Sequence, residues 1–246
     1  MPITSQTVIL AAGMGSRLRG TDSDVPKPLI EVAGLPLIGH ALAHAEASGC
    51  REAIVVVGYQ GTRVKAAAAS AATTLTLRFV EAPDPTAPNG HSLAAVEGQT
   101  APRFYLQMVD HVFDHVVLPL LDSGPPGDPD AGRLLVDRSP KGLDLDDATR
   151  VRLAGPRITA IGKRLEPWDA IDTGCFALTP AVFEALRRVR PTEPKTVSAA
   201  MRQLAERGRL FAAEIGEVLW ADIDTPTDRA GAERLELGTG RHAVRA

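Results

Sequence analysis

Two glycines and an arginine follow an apolar run in residues 10–18, which read LAAGMGSRL. Glycine lets a backbone turn approach a ligand closely and present its N–H groups to anionic oxygens or to the edge of a base. Arg17, and Lys27 in the later sequence PKPL, add positive charge. The pattern predicts a site for a phosphate-bearing ligand; a turn whose glycines only permit tight geometry is the alternative. A dinucleotide fingerprint needs glycine where Leu18 stands, and a P-loop needs Gly-Lys-Ser/Thr, so both loops are excluded.

Three aspartates follow strand-like segments later in the chain. Asp110 follows the apolar run FYLQMV, and Asp222 and Asp224 alternate in WADIDTP. The carboxyl edge of a parallel sheet collects ligand groups, and Mg²⁺ is bound by one or two carboxylates together with substrate phosphates. These residues predict a magnesium site, with a helix cap as the alternative role of Asp110 and of one later aspartate. An ordinary structural role is favoured for His111, and orientation of the metal ligands is the alternative.

Apolar runs typical of buried strands alternate with segments of helical spacing in the first half of the chain. The predicted strands cover 6–10, 53–57 and 104–109, and the predicted helices cover 37–45, 62–72 and 92–97. This alternation predicts an α/β fold, with a Rossmann-like, mainly parallel sheet flanked by helices.

Closely spaced strand-like runs mark the second half, after the loop-like sequence SGPPGDPD. They lie at 133–136, 150–153 and 157–161, and helices are predicted over 180–188 and 197–207. Such short spacing predicts a β-rich insertion. We expect one domain over residues 1–246, with division near residue 121 and a frayed tail over 238–246.

The composition of the 246 residues excludes several protein classes. Hydrophobic residues make up 44% and charged residues 23%, which is typical of a globular chain rather than a disordered or fibrous one. A net charge of -3 predicts no surface for nucleic acid or for an anionic membrane. No apolar run reaches the roughly 18 residues of a membrane span. Two cysteines without paired spacing, and the absence of a signal peptide, predict a cytoplasmic protein.

The combination of LAAGMGSRL with KPL closely resembles the signature of the nucleotidyltransferases that activate sugar phosphates, a family with a Rossmann-like, GT-A-like sheet. The resemblance spans roughly residues 6 to 230 and implies that the glycine-rich loop and the sequence NGHSL bind a nucleoside triphosphate. The nucleotide-binding residues implied are Leu10, Ala11, Ala12, Gly13, Gly15, Ser16, Arg17, Asn89, Gly90 and Ser92. Asn-Gly read alone is a turn.

The resemblance also implies catalytic, metal-binding and acceptor-binding residues. Arg17, Lys27 and Lys163 would be catalytic, Asp110, Asp222 and Asp224 would hold Mg²⁺, and Lys163, Asp172, Thr173 and Gly174 would face a phosphorylated acceptor. In the family, glycine commonly precedes the first aspartate, where this chain has Val109. A solvated surface lysine is the alternative for Lys163. On this reading, about 1–121 binds the nucleotide, and about 122–237 binds the acceptor and completes the metal site.

The sequences DDATRV, IGKRL and WDAIDTGCF look most like those of the CTP:inositol-1-phosphate cytidylyltransferases. That resemblance implies transfer of CMP from CTP to inositol-1-phosphate, or to a related cyclitol or sugar phosphate, with release of pyrophosphate. Phosphocholine, an aminoalkylphosphonate and a hexose-1-phosphate are alternative acceptors. No nucleic acid or inserted membrane is expected as a partner, and the β-rich segment offers a surface for a homodimer.

Two other classes fit part of the pattern. The sequence Asp222-Ile223-Asp224 is formally the DxD of metal-dependent glycosyltransferases, although that motif normally lies in mid-chain and would leave the glycine-rich loop unexplained. A nucleotide-sensing protein without catalysis is compatible with the same fold, since a fold alone never establishes activity. Arg17, Lys27, Asp110 and Asp222 favour an enzyme over a sensing protein.

Overall fold

The computed structural model describes residues 4–15, 24–71, 73–123 and 132–235. The strands are β1 (Gln6–Ala11), β2 (Glu31–Val32), β3 (Leu35–Pro36), β4 (Glu52–Val57), β5 (Thr76–Glu81), β6 (Phe104–Met108), β7 (His111–Phe113), β8 (Gly132–Asp137), β9 (Arg150–Ala154), β10 (Arg157–Gly162), β11 (Ala170–Leu178), β12 (Leu210–Glu214) and β13 (Trp220–Asp222). The helices are α1 (Leu37–Ala47), α2 (Gly61–Ser70), α3 (Asn89–Ala94), α4 (Ala181–Arg188), α5 (Val197–Glu206) and α6 (Pro226–Arg234), with 3-10 turns at Lys27–Leu29 and Leu118–Asp122.

A nine-stranded sheet in the order β5-β4-β1-β6-β11-β8-β12-β10-β9 organises the described residues. Its first four strands are parallel, and β1 lies between β4 and β6 with all six of its residues buried. A strand buried on both faces explains why the sequence of β1 is almost continuously apolar. The predicted α/β class with a mainly parallel, helix-flanked sheet is confirmed.

Strand β11 joins the parallel half of the sheet to the β-rich half. It pairs antiparallel with β6 and β8, and its first residues also pair with β9. Because β8, β12, β10 and β9 follow one another in the sheet, this last pairing closes the strands into a ring. The β-rich segment therefore continues the main sheet instead of forming a separate layer.

Apolar side chains fill both faces of the sheet. One cluster includes residues of α1, α2 and α6, and the other includes residues of α3, α4 and α5. Most of these side chains are aliphatic, as the aromatic content of 4% requires. Helix α3 begins at Asn89 rather than 92, and α4 begins at Ala181 rather than 180. No helix among the described residues is long and apolar enough to cross a membrane.

The small sheet of β7 and β13 brings Asp110 close to the late aspartates of the WADIDTP segment. These strands are antiparallel, and Asp222 is paired in register with His111. Asp110 immediately precedes β7, and the backbone N–H of Ile223 donates to the carbonyl of Asp110 at 2.9 Å. The late WADIDTP segment is therefore fixed beside the carboxyl end of β6.

Candidate active site

A cleft of about 1170 Å³ collects predicted site residues from both halves of the sheet. Its lining includes the metal candidates Asp110, Asp222 and Asp224 and the acceptor candidates Lys163, Asp172 and Gly174. Asn89, from the predicted nucleotide site, lines the same cleft. Residues separated by more than half of the chain thus share one cavity of a size suited to small-molecule ligands.

Lys27 is the buried cation of this site. Its Nζ lies 2.5 Å from Asp110 Oδ2 and 2.5 Å from Asp224 Oδ1, and its side chain is 10% exposed. Burial alone would lower the pKa of Lys27, but the carboxylates around it outweigh burial and raise that pKa above its ordinary value. In return, and against the effect of burial, Lys27 holds the pKa of Asp110 well below its usual range. Both groups therefore stay charged at neutral pH.

Gly15 makes room for the Lys27 segment. Its φ is +64°, and a Cβ placed on it would lie 2.6 Å from the Cβ of Lys27. Any other residue would therefore meet both strained backbone geometry and a steric clash. The predictions for Ser16 and Arg17 fall outside the described residues.

The remaining residues of the glycine-rich loop end β1 and face two different environments. Leu10, Ala11 and Ala12 are buried, and the carbonyl of Ala12 accepts a hydrogen bond from the N–H of Tyr59 at 3.2 Å. A Cβ placed on Gly13 would meet nothing within 4 Å. Gly13 therefore borders open space, as a residue that approaches a ligand requires.

Asn89 and its neighbours hold α3 against the start of α5. Asn89 Oδ1 accepts the backbone N–H of Val197 at 2.9 Å, and a Cβ on Gly90 would lie 2.3 Å from the carbonyl oxygen of Lys195. Ser92 is buried at 6% exposure. The structure thus gives the NGHS segment a packing role that the sequence did not reveal, in addition to the place of Asn89 in the cleft.

His111 lies between two of the predicted metal carboxylates. Its Nδ1 is 2.9 Å from Asp110 Oδ1, and its Nε2 is 3.9 Å from Asp222 Oδ2. Burial would lower the pKa of His111, but Asp222 and Asp110 overcome that effect and raise the pKa to about 9. Sequence reasoning favoured an ordinary structural role for His111; the available signal was its position directly after Asp110.

The residues present fit a divalent cation. Asp110, His111 and Asp222 each offer a ligand atom within 4.8 Å of the others, and Asp222 Oδ1 is buried without a hydrogen-bond partner. Burial raises the pKa of Asp222 to about 6 against the lowering effect of His111. A buried carboxylate oxygen without a partner is costly unless a cation satisfies it, and hard oxygen ligands suit Mg²⁺.

The alternative that one late aspartate caps the following helix is wrong. Thr225 is the N-cap of α6, and its side chain and that of Asp228 form a reciprocal capping box. Asp222 and Asp224 are therefore both available to the site, and they divide it: Asp224 pairs with Lys27, whereas Asp222 faces His111.

The predicted acceptor residues occupy different environments. Lys163 and Asp147 form an ion pair at the cleft wall, with side chains 55% and 40% exposed. Asp172 Oδ1 accepts the N–H of Gly174 at 2.8 Å, and burial raises the pKa of Asp172 to about 6. Thr173, in contrast, is fully buried and donates its hydroxyl to the carbonyl of Leu135, so its side chain faces the interior.

The fold and the site together define a nucleotidyltransferase domain. A solved structure described as the inositol-1-phosphate CTP transferase from T. maritima superposes with a TM-score of 0.81 at 26% identity, covering 92% of this chain and 91% of that chain. The sequence also matches the MobA-like NTP transferase domain over residues 7–131. The chain belongs to this family, and the predicted family, fold class and enzyme class are confirmed.

Curated relatives extend the similarity along nearly the whole chain. A bifunctional IPC transferase and DIPP synthase from Rubrobacter xylanophilus is 37% identical over 233 residues, which are 94% of this chain and 51% of the relative. A protein of the same description from Aquifex aeolicus is 30% identical over 239 residues, covering 96% of this chain and 53% of the relative. The chain therefore spans about half the length of these relatives.

Proposed function

We propose that this chain transfers CMP from CTP to inositol-1-phosphate, or to a related cyclitol or sugar phosphate, with Mg²⁺ and with release of pyrophosphate. The observation that carries the proposal is the convergence of three aspartates on a cleft that also contains Lys163 and Asp172, with the buried Lys27 paired to two of those aspartates. The descriptions of the similar IPC transferases and of the T. maritima enzyme support CTP and inositol-1-phosphate as the substrates.

The reaction brings two polyanions together, so charge neutralisation is the first requirement. Two unit charges at 4 Å repel by about 4 kcal/mol at an effective dielectric constant near 20. Lys27 is a cation fixed by burial and by its two aspartates, and Lys163 is a cation at the cleft wall. Arg17 completes the proposed catalytic set. These side chains would lower the barrier by positioning the phosphates and compensating their charge.

The chemical step needs no general base from the protein. The acceptor phosphate has a second pKa near 6, so it is largely dianionic near pH 7. One of its oxygens forms a bond to the α-phosphorus of CTP. The bond from that phosphorus to the bridging oxygen of the β-phosphate breaks, and the electron pair leaves with pyrophosphate.

Asp110 and Asp222 are the proposed metal ligands, because both face His111 and Asp222 retains a buried oxygen without a partner. Bound Mg²⁺ would orient the triphosphate and stabilise its developing charge. Asp224 serves this centre by holding Lys27 in place. The proposal therefore gives the two late aspartates different roles.

Substrate recognition is divided between a nucleotide side and an acceptor side. On the nucleotide side, the proposal places the base and ribose against the backbone of Leu10–Gly13 and against Asn89, Gly90 and Ser92, of which Asn89 lines the cleft, with Gly15, Ser16 and Arg17 at the triphosphate. On the acceptor side, Lys163 would exchange Asp147 for the acceptor phosphate. Asp172 and the backbone at Thr173 and Gly174 would face the hydroxyl groups of the acceptor.

The decisive experiment measures pyrophosphate release with Mg²⁺ for the four common nucleoside triphosphates against a panel of acceptors. The panel contains inositol-1-phosphate, phosphocholine, 3-aminopropylphosphonate and glucose-1-phosphate. Release with CTP and inositol-1-phosphate alone is the expected result. Release in another combination would retain nucleotidyl transfer and replace the base or the acceptor.

Two further outcomes would contradict nucleotidyl transfer itself. Release of a nucleoside diphosphate from a nucleotide sugar would indicate a glycosyltransferase. Tight nucleotide binding without pyrophosphate from any acceptor would indicate a sensing protein. The Asp110→Asn variant is the negative control, because it keeps the shape of the side chain and removes its charge.

A further inference from the structure

The imidazole ring of His111 is held in place by two close neighbours, Trp220 and Gly174. The indole of Trp220 stacks on it, with ring centroids 5.6 Å apart and an interplanar angle of 11°. Gly174 also lies against the ring, because an added Cβ there would approach the ring atoms Cδ2, Cε1 and Nε2 to 2.9 Å. Since Gly174 has a φ of +71°, glycine is required there for both backbone conformation and ring contact.

Trp220 is itself fixed. Its Nε1 donates to Asp137 Oδ2 at 2.8 Å, and Asp137 is 5% exposed at the end of β8. The indole also stacks with Phe113, with ring centroids 6.2 Å apart. Trp220 and Phe113 are also register partners in β13 and β7. Side-chain packing and backbone pairing therefore determine the orientation of the ring that stacks on His111.

This fixed plane directs the two nitrogens of His111 toward different carboxylates. Nδ1 contacts Asp110 Oδ1 at 2.9 Å, and Nε2 faces Asp222 Oδ2 at 3.9 Å. The other oxygen of Asp110 contacts Lys27. Ligand oxygens of Asp110 and Asp222 lie within 4.8 Å of each other. Without a group between them, the two carboxylates would repel and rotate apart. An imidazole held between them keeps their facing oxygens together, and groups that contact metal ligands typically tune metal affinity.

We propose that His111 is a positioning residue, clamped by Trp220 and Gly174, that holds Asp110 and Asp222 in the arrangement that receives the divalent cation. The inference rests on the proposed function, because it concerns the metal of that reaction. It adds a role for a residue that contacts the metal ligands and for two residues that contact His111.

The test replaces His111 with Phe and with Asn. Phe retains a ring against Trp220 and Gly174 and removes both nitrogens, whereas Asn places an amide near the position of Nδ1 and so keeps a donor toward Asp110. The control is His115→Asn: His115 Nδ1 also lies 2.8 Å from Oδ1 of its preceding residue, Asp114, although it makes no hydrogen bond there, and neither residue lines the cleft.

Two readouts are compared for each variant. The first is binding of Mn²⁺, followed by the electron paramagnetic resonance signal of the free ion, with and without CTP. The second is the Mg²⁺ concentration that gives half-maximal pyrophosphate release. We expect His111→Phe to lower the Mn²⁺ affinity and to raise the half-maximal Mg²⁺ concentration, each by about 10- to 100-fold. His111→Asn should recover part of the loss, and His115→Asn should match the unmodified protein.

Several outcomes would overturn the inference. One is that His111→Phe binds Mn²⁺ as tightly as the unmodified protein. If the Phe variant does not fold, the corresponding outcome is that His111→Asn binds Mn²⁺ as tightly as the unmodified protein. The third is that the unmodified protein does not bind Mn²⁺, with or without CTP. Failure of the proposed function looks different: pyrophosphate release is absent from the unmodified protein, while the Mn²⁺ affinities still differ between it and the variants.

Discussion

Lys27 Nζ lies 2.5 Å from Asp110 Oδ2, although 83 positions of sequence separate the two residues. The same nitrogen contacts Asp224, which is 197 positions from Lys27. One ammonium group therefore links the segment after the glycine-rich loop, the end of β6 and the segment after β13. Charged residues from three distant segments therefore meet at one point and form a site there.

Replacing Asp110 with Asn tests the carboxylate at the centre of this arrangement. Asn removes the charge that faces His111 and Lys27 while the contact of Lys27 with Asp224 remains. We expect kcat to fall by at least about 100-fold, the scale seen when one preorganised electrostatic group is lost from an active site. Steady-state kinetics with varied Mg²⁺ measures the effect, and circular dichroism checks the fold. Near-normal kcat would remove Asp110 from the reacting centre.

The two glycines of the glycine-rich loop are expected to respond differently to alanine. Gly15→Ala places a Cβ 2.6 Å from the Cβ of Lys27 at a φ of +64°, whereas Gly13→Ala meets nothing within 4 Å. A left-handed conformation costs a non-glycine residue about 1–2 kcal/mol. We therefore expect thermal melts to show destabilisation for Gly15→Ala alone.

Gly13→Ala supplies the functional half of the same comparison. Its melting temperature should equal that of the unmodified protein, while the KM for the nucleotide should rise because the new methyl group occupies the space where the base or ribose approaches. An unchanged KM in that variant would place the nucleotide elsewhere.

The parts of the site that the sequence predicted are those whose chemistry is local. The loop LAAGMG, the aspartate after β6 and the late DID were found from residue type and strand position, and the structure brings Asp110, Asp222 and Asp224 to one cleft. Strand β11 was missed because Gly174 interrupts its apolar run and shifts its pairing with β8.

What the sequence did not predict depends on contacts between distant segments. The orientation of His111 is set by Trp220 and Gly174, and neither lies near it in sequence. The same holds for Asn89, whose side-chain oxygen accepts the N–H of Val197. No periodicity or spacing in the sequence indicates such a contact. For the same reason, only the fold shows that Asp224 pairs with Lys27 whereas Asp222 faces His111.

Lys163→Ala should change acceptor binding without changing stability. Its ion pair with Asp147 is about half exposed on both sides, and exposed ion pairs contribute little to folding. We expect a higher KM for the acceptor, an unchanged KM for CTP and an unchanged melting temperature. The control is Lys65→Ala, which breaks the 2.8 Å pair with Glu81 between α2 and β5, away from the cleft. Equal acceptor KM values in the two variants would show that Lys163 does not bind the acceptor and is an ordinary surface lysine.

Asp172→Asn tests whether a buried charge is kept for function at the expense of stability. Burial raises the pKa of Asp172 from 3.8 to about 6, so the folded protein holds this proton more tightly than the unfolded chain does. That contribution favours the folded state below about pH 4 and is lost as the pH rises through about 6. Asn mimics the protonated side chain and can still accept the N–H of Gly174.

The variant should therefore match the unmodified, metal-free protein in urea unfolding near pH 4 and exceed its stability near pH 8. A gain of about 1–3 kcal/mol corresponds to a shift of one to two pKa units. Acceptor KM should rise in the same variant, because the carboxylate is proposed to face the acceptor hydroxyl groups. If the variant and the unmodified protein are equally stable at both pH values, the charge of Asp172 carries no cost in stability. A charge that costs stability is expected to persist where function requires it. A gain in stability with unchanged acceptor KM would therefore show that the acceptor site does not need Asp172.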